Sequence, residues 1–271
     1  MKSNSDLKKI QNKLLEMAKF VDKVCTDNKI EYYLIYGTCL GAVRHNNFIP
    51  WDDDFDIGMT YYNYLKFIEV MEKQNSKYVI QTIDNDKEYN RLFAKVRDTE
   101  TTYIENGNEK RNMIQGLYID IFPIVGYPNN KLLQKKFKFD RAIAMYPYTN
   151  MINNKFLNFI AKAIYFEKDF KKISKKYQKK ILKYDLNKCE NWISVYGNSI
   201  EININDKSNY GNPIRINFDN YKFPIPEKAD LYLTRTYGDY MKIPSKEQIE
   251  KMQHAVYKID LEKSYKKYIN I

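Results

Sequence analysis

The sequence predicts an α+β (mixed α/β) fold, a core sheet flanked by helices and carrying a basic helical segment, and three observations lead there. Apolar residues at three- and four-residue spacing open the chain, short β-branched and aromatic runs follow, and beyond Asn130 helical periodicity returns on a lysine-rich background. The 271 residues, 44% of them hydrophobic, suffice for one large domain or a domain with a substantial helical extension.

Leu7, Ile10, Leu14, Met17, Val21, Val24 and Cys25 share one face of a helix running from Asp6 to about Asn28. Glu31 to Tyr36 reads as a buried strand that ends at Gly37-Thr38 and turns into a short helix, Cys39 to His45. Asn46-Asn47 and Pro50 mark a loop, after which Asp54-Phe55-Asp56-Ile57 alternates with strand period. A helix from about Tyr62 to Lys73 precedes four strand candidates: Tyr78 to Ile83, Arg91 to Arg97, Thr101 to Ile104 and Leu117 to Phe122. Phe156, Phe159, Ile160, Ala163, Ile164, Phe170, Ile173, Tyr177 and Ile181 then form a helical stripe, and a final helix starts near Ser245. The expected organisation is a catalytic core over 1–130, a basic helical segment over 131–200, and a part over 201–271 that completes the same domain.

No stretch approaches the roughly 18 apolar residues of a membrane span, and the opening residues lack the apolar core of a signal peptide, so a cytoplasmic location is expected. Cys25, Cys39 and Cys189 fit neither a zinc framework nor a disulfide scaffold. The net charge of +11 is localised: Lys131 to Lys188 holds 16 Lys and Arg against four acids, leaving the remainder at −1. Such a distribution does not suggest a nucleic-acid binder. Lysine-rich helices with one apolar side suit the surface of an anionic membrane, such as the inner face of the plasma membrane; a helical subdomain with solvated lysines is the alternative.

Four carboxylates, Asp52, Asp53, Asp54 and Asp56, fall within five residues. On a strand, Asp54 and Asp56 point together while Phe55 and Ile57 face the core, and Asp52 shares their face. Hard divalent cations favour such oxygen sets, although an acidic surface turn would show the same run. At Gly37-Thr38 a strand end meets a helix start, where backbone N–H groups can hold a phosphate; a plain helix start explains the pair as well. Asp120 interrupts the apolar strand Leu117-Tyr118-Ile119-Asp120-Ile121-Phe122, which calls for a metal or an ion-pair partner.

Tyr36-Gly37-Thr38-Cys39-Leu40-Gly41-Ala42-Val43-Arg44-His45, followed by Phe48 through Gly58, resembles the signature of the LicD/fukutin phosphotransferases within the nucleotidyltransferase superfamily. Lys95-Val96-Arg97-Asp98-Thr99, Tyr118 through Pro123 and Tyr237 through Pro244 continue the resemblance in order. Phe55 stands where a small aliphatic is usual, and His254 stands alone where relatives often show several histidines. The resemblance implies a nucleotidyltransferase-like core sheet and transfer of a phospho-substituent, phosphocholine foremost, from a CDP-linked donor such as CDP-choline. The implied acceptor is a sugar of a cell-surface glycan (teichoic acid, capsule or lipopolysaccharide), expected in lipid-linked form.

Resemblance and geometry together make Asp54, Asp56 and Asp120 the catalytic residues and the ligands of Mg²⁺ or Mn²⁺, with Asp52 reaching the metal through water and Asp120 also serving as base. Gly37, Thr38, Arg44 and His45 are the expected contacts of the diphosphate or nucleotide. Lys95 and Arg97 are expected to stabilise the departing cytidine monophosphate, or alternatively to pair with the acidic strand. Trp51 and Tyr118 offer rings to a quaternary ammonium. Two other functions remain open on the sequence: transfer of a nucleoside monophosphate itself to a small acceptor, and a non-catalytic polybasic adaptor.

Overall fold

The computed structural model describes residues 4–148, 155–166, 169–197, 199–252 and 255–269. Its first half contains α1 (Asn4–Asp27), β1 (Tyr33–Leu34), α2 (Tyr36–His45), β2 (Asp56–Thr60), α3 (Tyr61–Glu72), β3 (Tyr78–Gln81), β4 (Ala94–Asp98), β5 (Thr102–Glu105) and β6 (Tyr118–Tyr127). Helices α4 (Lys131–Met145), α5 (Lys155–Tyr165) and α6 (Phe170–Leu182) form the basic segment. Then come β7 (Asn191–Ser194), α7 (Ile200–Asn203), β8 (Ile204–Asp206), α8 (Lys207–Tyr210), β9 (Ile214–Phe218), β10 (Tyr221–Ile225), α9 (Ala229–Tyr237), α10 (Lys246–Met252) and β11 (Val256–Asp260). His254 lies outside the described residues.

The fold is α+β, as the periodicities predict, with three sheets among the described residues where one was expected. Seven strands form the main sheet, β9 and β10 form a ribbon, and β11 pairs with β5 in another. The Thr101 to Ile104 candidate is thus a strand outside the main sheet. Within that sheet β2 runs parallel to β6 while β4 and β7 run antiparallel to it. The long strand β6 is the spine because almost every residue in it is apolar and buried.

Along one edge β6 changes partner. Residues Tyr118 to Ile121 pair with β4, and Ile124 to Tyr127 pair with β7. Phe122 and Pro123 occupy the interval, where the N–H that proline lacks is not needed by a neighbouring strand on that edge. The start of β4 and the end of β7 therefore face each other across Phe122.

Helix α1 buries Ile10, Leu14, Met17 and Val21, the predicted stripe, and begins two residues before the Asp6 start read from the sequence. Thr60, Asn130 and Asp169 cap α3, α4 and α6 by accepting backbone N–H bonds, which settles three helix starts locally. In the basic segment, Phe137, Ile143, Ala144, Ala161, Ile181 and Leu182 are buried. The outer face of α5 is different: Phe159 is 71% exposed, and Phe166 just beyond it 70%. Among the described residues no helix is long and apolar enough to cross a membrane.

Candidate active site

The acidic run is less of a strand than its alternation implies. Strand β2 begins only at Asp56, Asp54 lies in the extended lead-in, and Asp52 closes a turn by donating its N–H to Ile49 O at 3.0 Å. The parallel ladder reaches one residue further upstream through Asp120 N–H to Phe55 O, 3.0 Å. Gln11 of α1 clamps the turn, its Nε2 donating to Asp52 O at 2.9 Å and to Ile49 O at 3.2 Å. Asp53 points away and accepts a 2.5 Å hydrogen bond from the Tyr103 hydroxyl.

Register brings the remaining acids together. Asp56 stands opposite Asp120 on parallel β2 and β6, and Lys95 stands opposite Asp120 on β4, so the three neighbours share a face of the sheet. Thr38 Oγ1 accepts the Asp56 N–H at 2.8 Å and fixes the first residue of the row. Asp52, Asp54, Asp56, Asp120, Lys95, Gly37 and Arg44 line one cavity of about 1140 Å³. The cavity continues past Phe93 and Phe122, in the gap between β4 and β7, to Tyr148 and Tyr196.

The electrostatics are dominated by crowding of like charge. Burial, first, and then Asp54, Asp120 and Asp52 push the Asp56 carboxyl well above the ordinary aspartate range, with Lys95 opposing. Lys95 is 2% exposed, and its Nζ lies 2.9 Å from Asp120 Oδ1 and 3.2 Å from the centre of the Tyr118 ring. Burial lowers its pKa against the pull of Asp120 and Glu105. The Lys95 contact is an ion pair without hydrogen-bond geometry, so the buried Asp120 Oδ1 accepts no hydrogen bond among the described residues.

Gly37 opens α2 beside the acids, and a Cβ there would lie 2.7 Å from Asp52 Oδ2. The residue before the helix, Ile35, offers no side-chain cap. Tyr36 precedes Gly37 in the left-handed region (φ 50°), an uncommon state for a bulky residue. It is held there by a 3.3 Å bond from its N–H to the Tyr232 hydroxyl and by its ring against Phe122.

Three expected contacts lie off the cavity wall. Thr38 spends its hydroxyl on Asp56. Arg97 is 1% exposed; it donates to Gln81 Oε1 and Gly116 O at 2.8 Å each, lies 3.9 Å from Glu105 Oε2, and stacks against Tyr118. These hydrogen-bond and ion-pair partners lie on β3, before β6 and on β5, and not on the acidic strand. His45 turns toward Asn47 and Phe48 on the far side, where Arg44 Nε donates to its Nε2 at 3.0 Å; burial and Arg44 lower its pKa. Arg44 itself stays at the cavity and donates to Tyr240 O at 2.6 Å. Tyr118 serves Lys95 and Arg97 with its ring, while Trp51 lies at the cavity beside His45.

Sequence reasoning missed Gln11 and Arg141. Both sit in helical phase with buried apolar neighbours, Gln11 four residues after Leu7 and Arg141 four after Phe137.

A family model described as LicD/FKTN/FKRP, nucleotidyltransferase domain, matches residues 29–164. The chain is 29% identical over 249 residues to the lipopolysaccharide cholinephosphotransferase LicD of Haemophilus influenzae, across 86% of this chain and 90% of that protein. It is also 29% identical over 122 residues to the human ribitol 5-phosphate transferase FKRP, across 45% of this chain and 22% of that protein. Against mannosyltransferase regulator 4 of Saccharomyces cerevisiae the identity is 30% over 125 residues, 43% of this chain and 10% of that one.

Proposed function

Because the chain belongs to the LicD/FKTN/FKRP family, we propose that it is a metal-dependent phosphotransferase moving a phospho-substituent, phosphocholine foremost, from a CDP-linked donor to a sugar hydroxyl of a cell-surface glycan. The observation that carries the reading is the register of Asp56 against Asp120, with Asp54 and Asp52 completing an acidic wall in one cavity. The near full-length relative is a cholinephosphotransferase, which favours phosphocholine.

The residues present fit a hard divalent cation. All candidate donors are carboxylate oxygens, their mutual repulsion seeks a counter-charge, and Asp120 Oδ1 is buried without a hydrogen bond. Among the described residues no three such groups already stand at coordination distance. Asp54, Asp56 and Asp120 would hold Mg²⁺ or Mn²⁺ by closing on it, with Asp52 behind them. When bound, such a cation neutralises charge on the transferring phosphate and acidifies a coordinated hydroxyl.

The chain's own residues do the rest. The start of α2 at Gly37, on the cavity wall, would turn backbone N–H groups to phosphate oxygens, and Arg44 adds charge on the same wall. Asp120 takes the proton of the acceptor hydroxyl. Lys95, beside it, directs an ammonium at the donor phosphates, a role that needs its pairing with Asp120 to loosen. The three adjacent strands fix which residues face the substrate, and the adjustment that remains is the closing of the carboxylates and the loosening of the Lys95 pair.

Exposed Phe159 and Phe166 on the basic helices favour peripheral contact with an anionic membrane, where a lipid-linked acceptor would lie. Incubation of the purified chain with a panel of CDP-linked donors and a glycan acceptor tests the reaction by mass spectrometry. Free CMP and a modified acceptor, both abolished by chelator, are expected; release of pyrophosphate, or turnover indifferent to chelator, refutes the proposal.

A further inference from the structure

Of the described cations in the basic segment, Arg141 of α4 is the one that reaches the cavity wall. Its Nε donates to Val195 O at 2.6 Å and its Nη2 to Gly197 O, so backbone carbonyls hold the guanidinium after β7. No carboxylate among the described residues pairs with it. Glu201, near enough to be felt, pairs instead with Lys138 at 2.7 Å. A largely desolvated guanidinium without a counter-ion is expensive to keep, and a ligand anion would repay it.

Two phenols of the same cavity wall, Tyr36 and Tyr196, both bear electrostatically on Arg141. Tyr196 is 5% exposed, and the hydroxyls of Tyr36 and Tyr196 are buried without a hydrogen-bond partner among the described residues. Ser194 and Gln178 lie close enough to bear on their acidity but not in bonding geometry. A Cβ on Gly197 would come 2.4 Å from the Tyr36 hydroxyl, so that hydroxyl, the Gly197 carbonyl and the guanidinium bonded to it are neighbours. Tyr36 adjoins Gly37, which adjoins Asp52. The cluster is therefore one step along the cavity from the acidic wall.

We propose that Arg141, Tyr36 and Tyr196 form a phosphate subsite on the aromatic side of the cavity, and that it holds the donor phosphate that departs with the nucleoside. The assignment to the departing phosphate rests on the transferase reading above; the phosphate subsite itself does not. In the transfer, the acceptor oxygen bonds to the moving phosphorus and its proton passes to Asp120. The bond from that phosphorus to the bridging oxygen breaks, and the oxygen leaves with the electron pair on the nucleoside monophosphate. Charge then grows on the departing phosphate, where a forked cation and two hydroxyl donors meet it. Lys95 and Arg97, tied to Asp120 and to Gln81 and Gly116, are less free for that task.

Calorimetric titration of the full chain with inorganic phosphate, and separately with cytidine monophosphate, tests the subsite in wild type, Tyr36→Phe, Tyr196→Phe and Arg141→Lys. Each phenylalanine should weaken binding about tenfold, the usual worth of a hydrogen bond to a charged group. Thermal stability should hold or rise, because neither hydroxyl has a hydrogen-bond partner to lose among the described residues. Arg141→Lys should weaken binding at least as much, since the fork is lost while the charge remains. The proposal falls if the wild type binds no phosphate, or if the tyrosine variants bind it as the wild type does. In turnover, a raised donor KM with the acceptor KM unmoved supports the departing phosphate; the reverse pattern places the anion on the acceptor and overturns that assignment. Should no CDP-linked donor be turned over, the transferase reading fails while the phosphate titration still decides the subsite.

Discussion

Replacing Asp56 by Asn should make the metal-free protein more stable while removing its response to metal. Asp120 faces Asp56 from the next strand about 4.8 Å away, which at an effective dielectric of about 20 amounts to ~3.5 kcal/mol of repulsion. Asp54, roughly 6.7 Å along the chain, adds ~2.5 kcal/mol, and Lys95, two strands off, returns ~1.7 kcal/mol. Relaxation and water entry at partly exposed Asp54 reduce the net, so about 2 kcal/mol should survive, or roughly 4 to 6 °C in melting temperature. The folded-state pKa of Asp56 is raised above its unfolded value, so the folded form binds the proton more tightly. Stability from this group is therefore fully present below the ordinary aspartate pKa and lost as pH rises from there through the raised value. The gap between Asn and wild type in chelator should thus widen from about pH 4 toward neutrality, the range set by an ordinary aspartate pKa of about 3.9. Differential scanning calorimetry with and without Mg²⁺ reads both effects. Wild type should gain about 2.7 kcal/mol at a hundredfold excess over Kd and the variant much less. A variant that melts below wild type in chelator, or shows the same Mg²⁺ shift, refutes the reasoning.

Three further outcomes follow from the same geometry. Asp54→Asn and Asp120→Asn should each lower kcat by at least about a thousandfold, as loss of several kcal/mol of transition-state stabilisation requires, with circular dichroism unchanged; near-normal turnover at limiting Mg²⁺ would remove that residue from the site. Thr38→Val should strand the buried Asp56 N–H at a cost of about 1–3 kcal/mol and depress kcat, and Thr38→Ser should restore both in unfolding and kinetic assays. Phe159→Ser with Phe166→Ser should abolish co-sedimentation with vesicles containing phosphatidylserine, leaving the melting temperature within a degree or so because both rings are exposed; equal binding by the double variant would show that the apolar face is not the contact.

Much of the site was readable because alternation along a strand assigns faces before any partner is known. Asp56 against Phe55 and Ile57, and Asp120 against Ile119 and Ile121, had to emerge on the polar side of their strands. Pairing is a different matter. That Asp56 meets Asp120, and Lys95 meets Asp120 from the other edge, is register between segments about 25 and 64 residues apart, a property of non-local contacts rather than local period. The run from Asp52 to Asp56 shows the limit of local reading. Extension of a strand pattern back through Asp54 ignored the Gln11 clamp and the turn at Ile49, which re-aim Asp52 and send Asp53 to Tyr103.

The basic segment shows why composition located a feature without locating its function. Sixteen cations describe a surface, yet among the described ones Arg141, which reaches the cavity, is distinguished by phase. Phe137 and Ala144 are buried on α4, and Arg141 falls between them at spacings of four and three, on the face that a helix turns inward. Asp140, also buried, is paired with Lys136 at 3.0 Å and Lys180 at 3.6 Å, so its charge is answered within the helices. Among the described residues, Arg141 is answered by carbonyls. A charged residue in core phase that no described carboxylate compensates marks the place where a ligand should do so, and the hydroxyls of Tyr36 and Tyr196, unpaired among the described residues, make the same demand from two other elements.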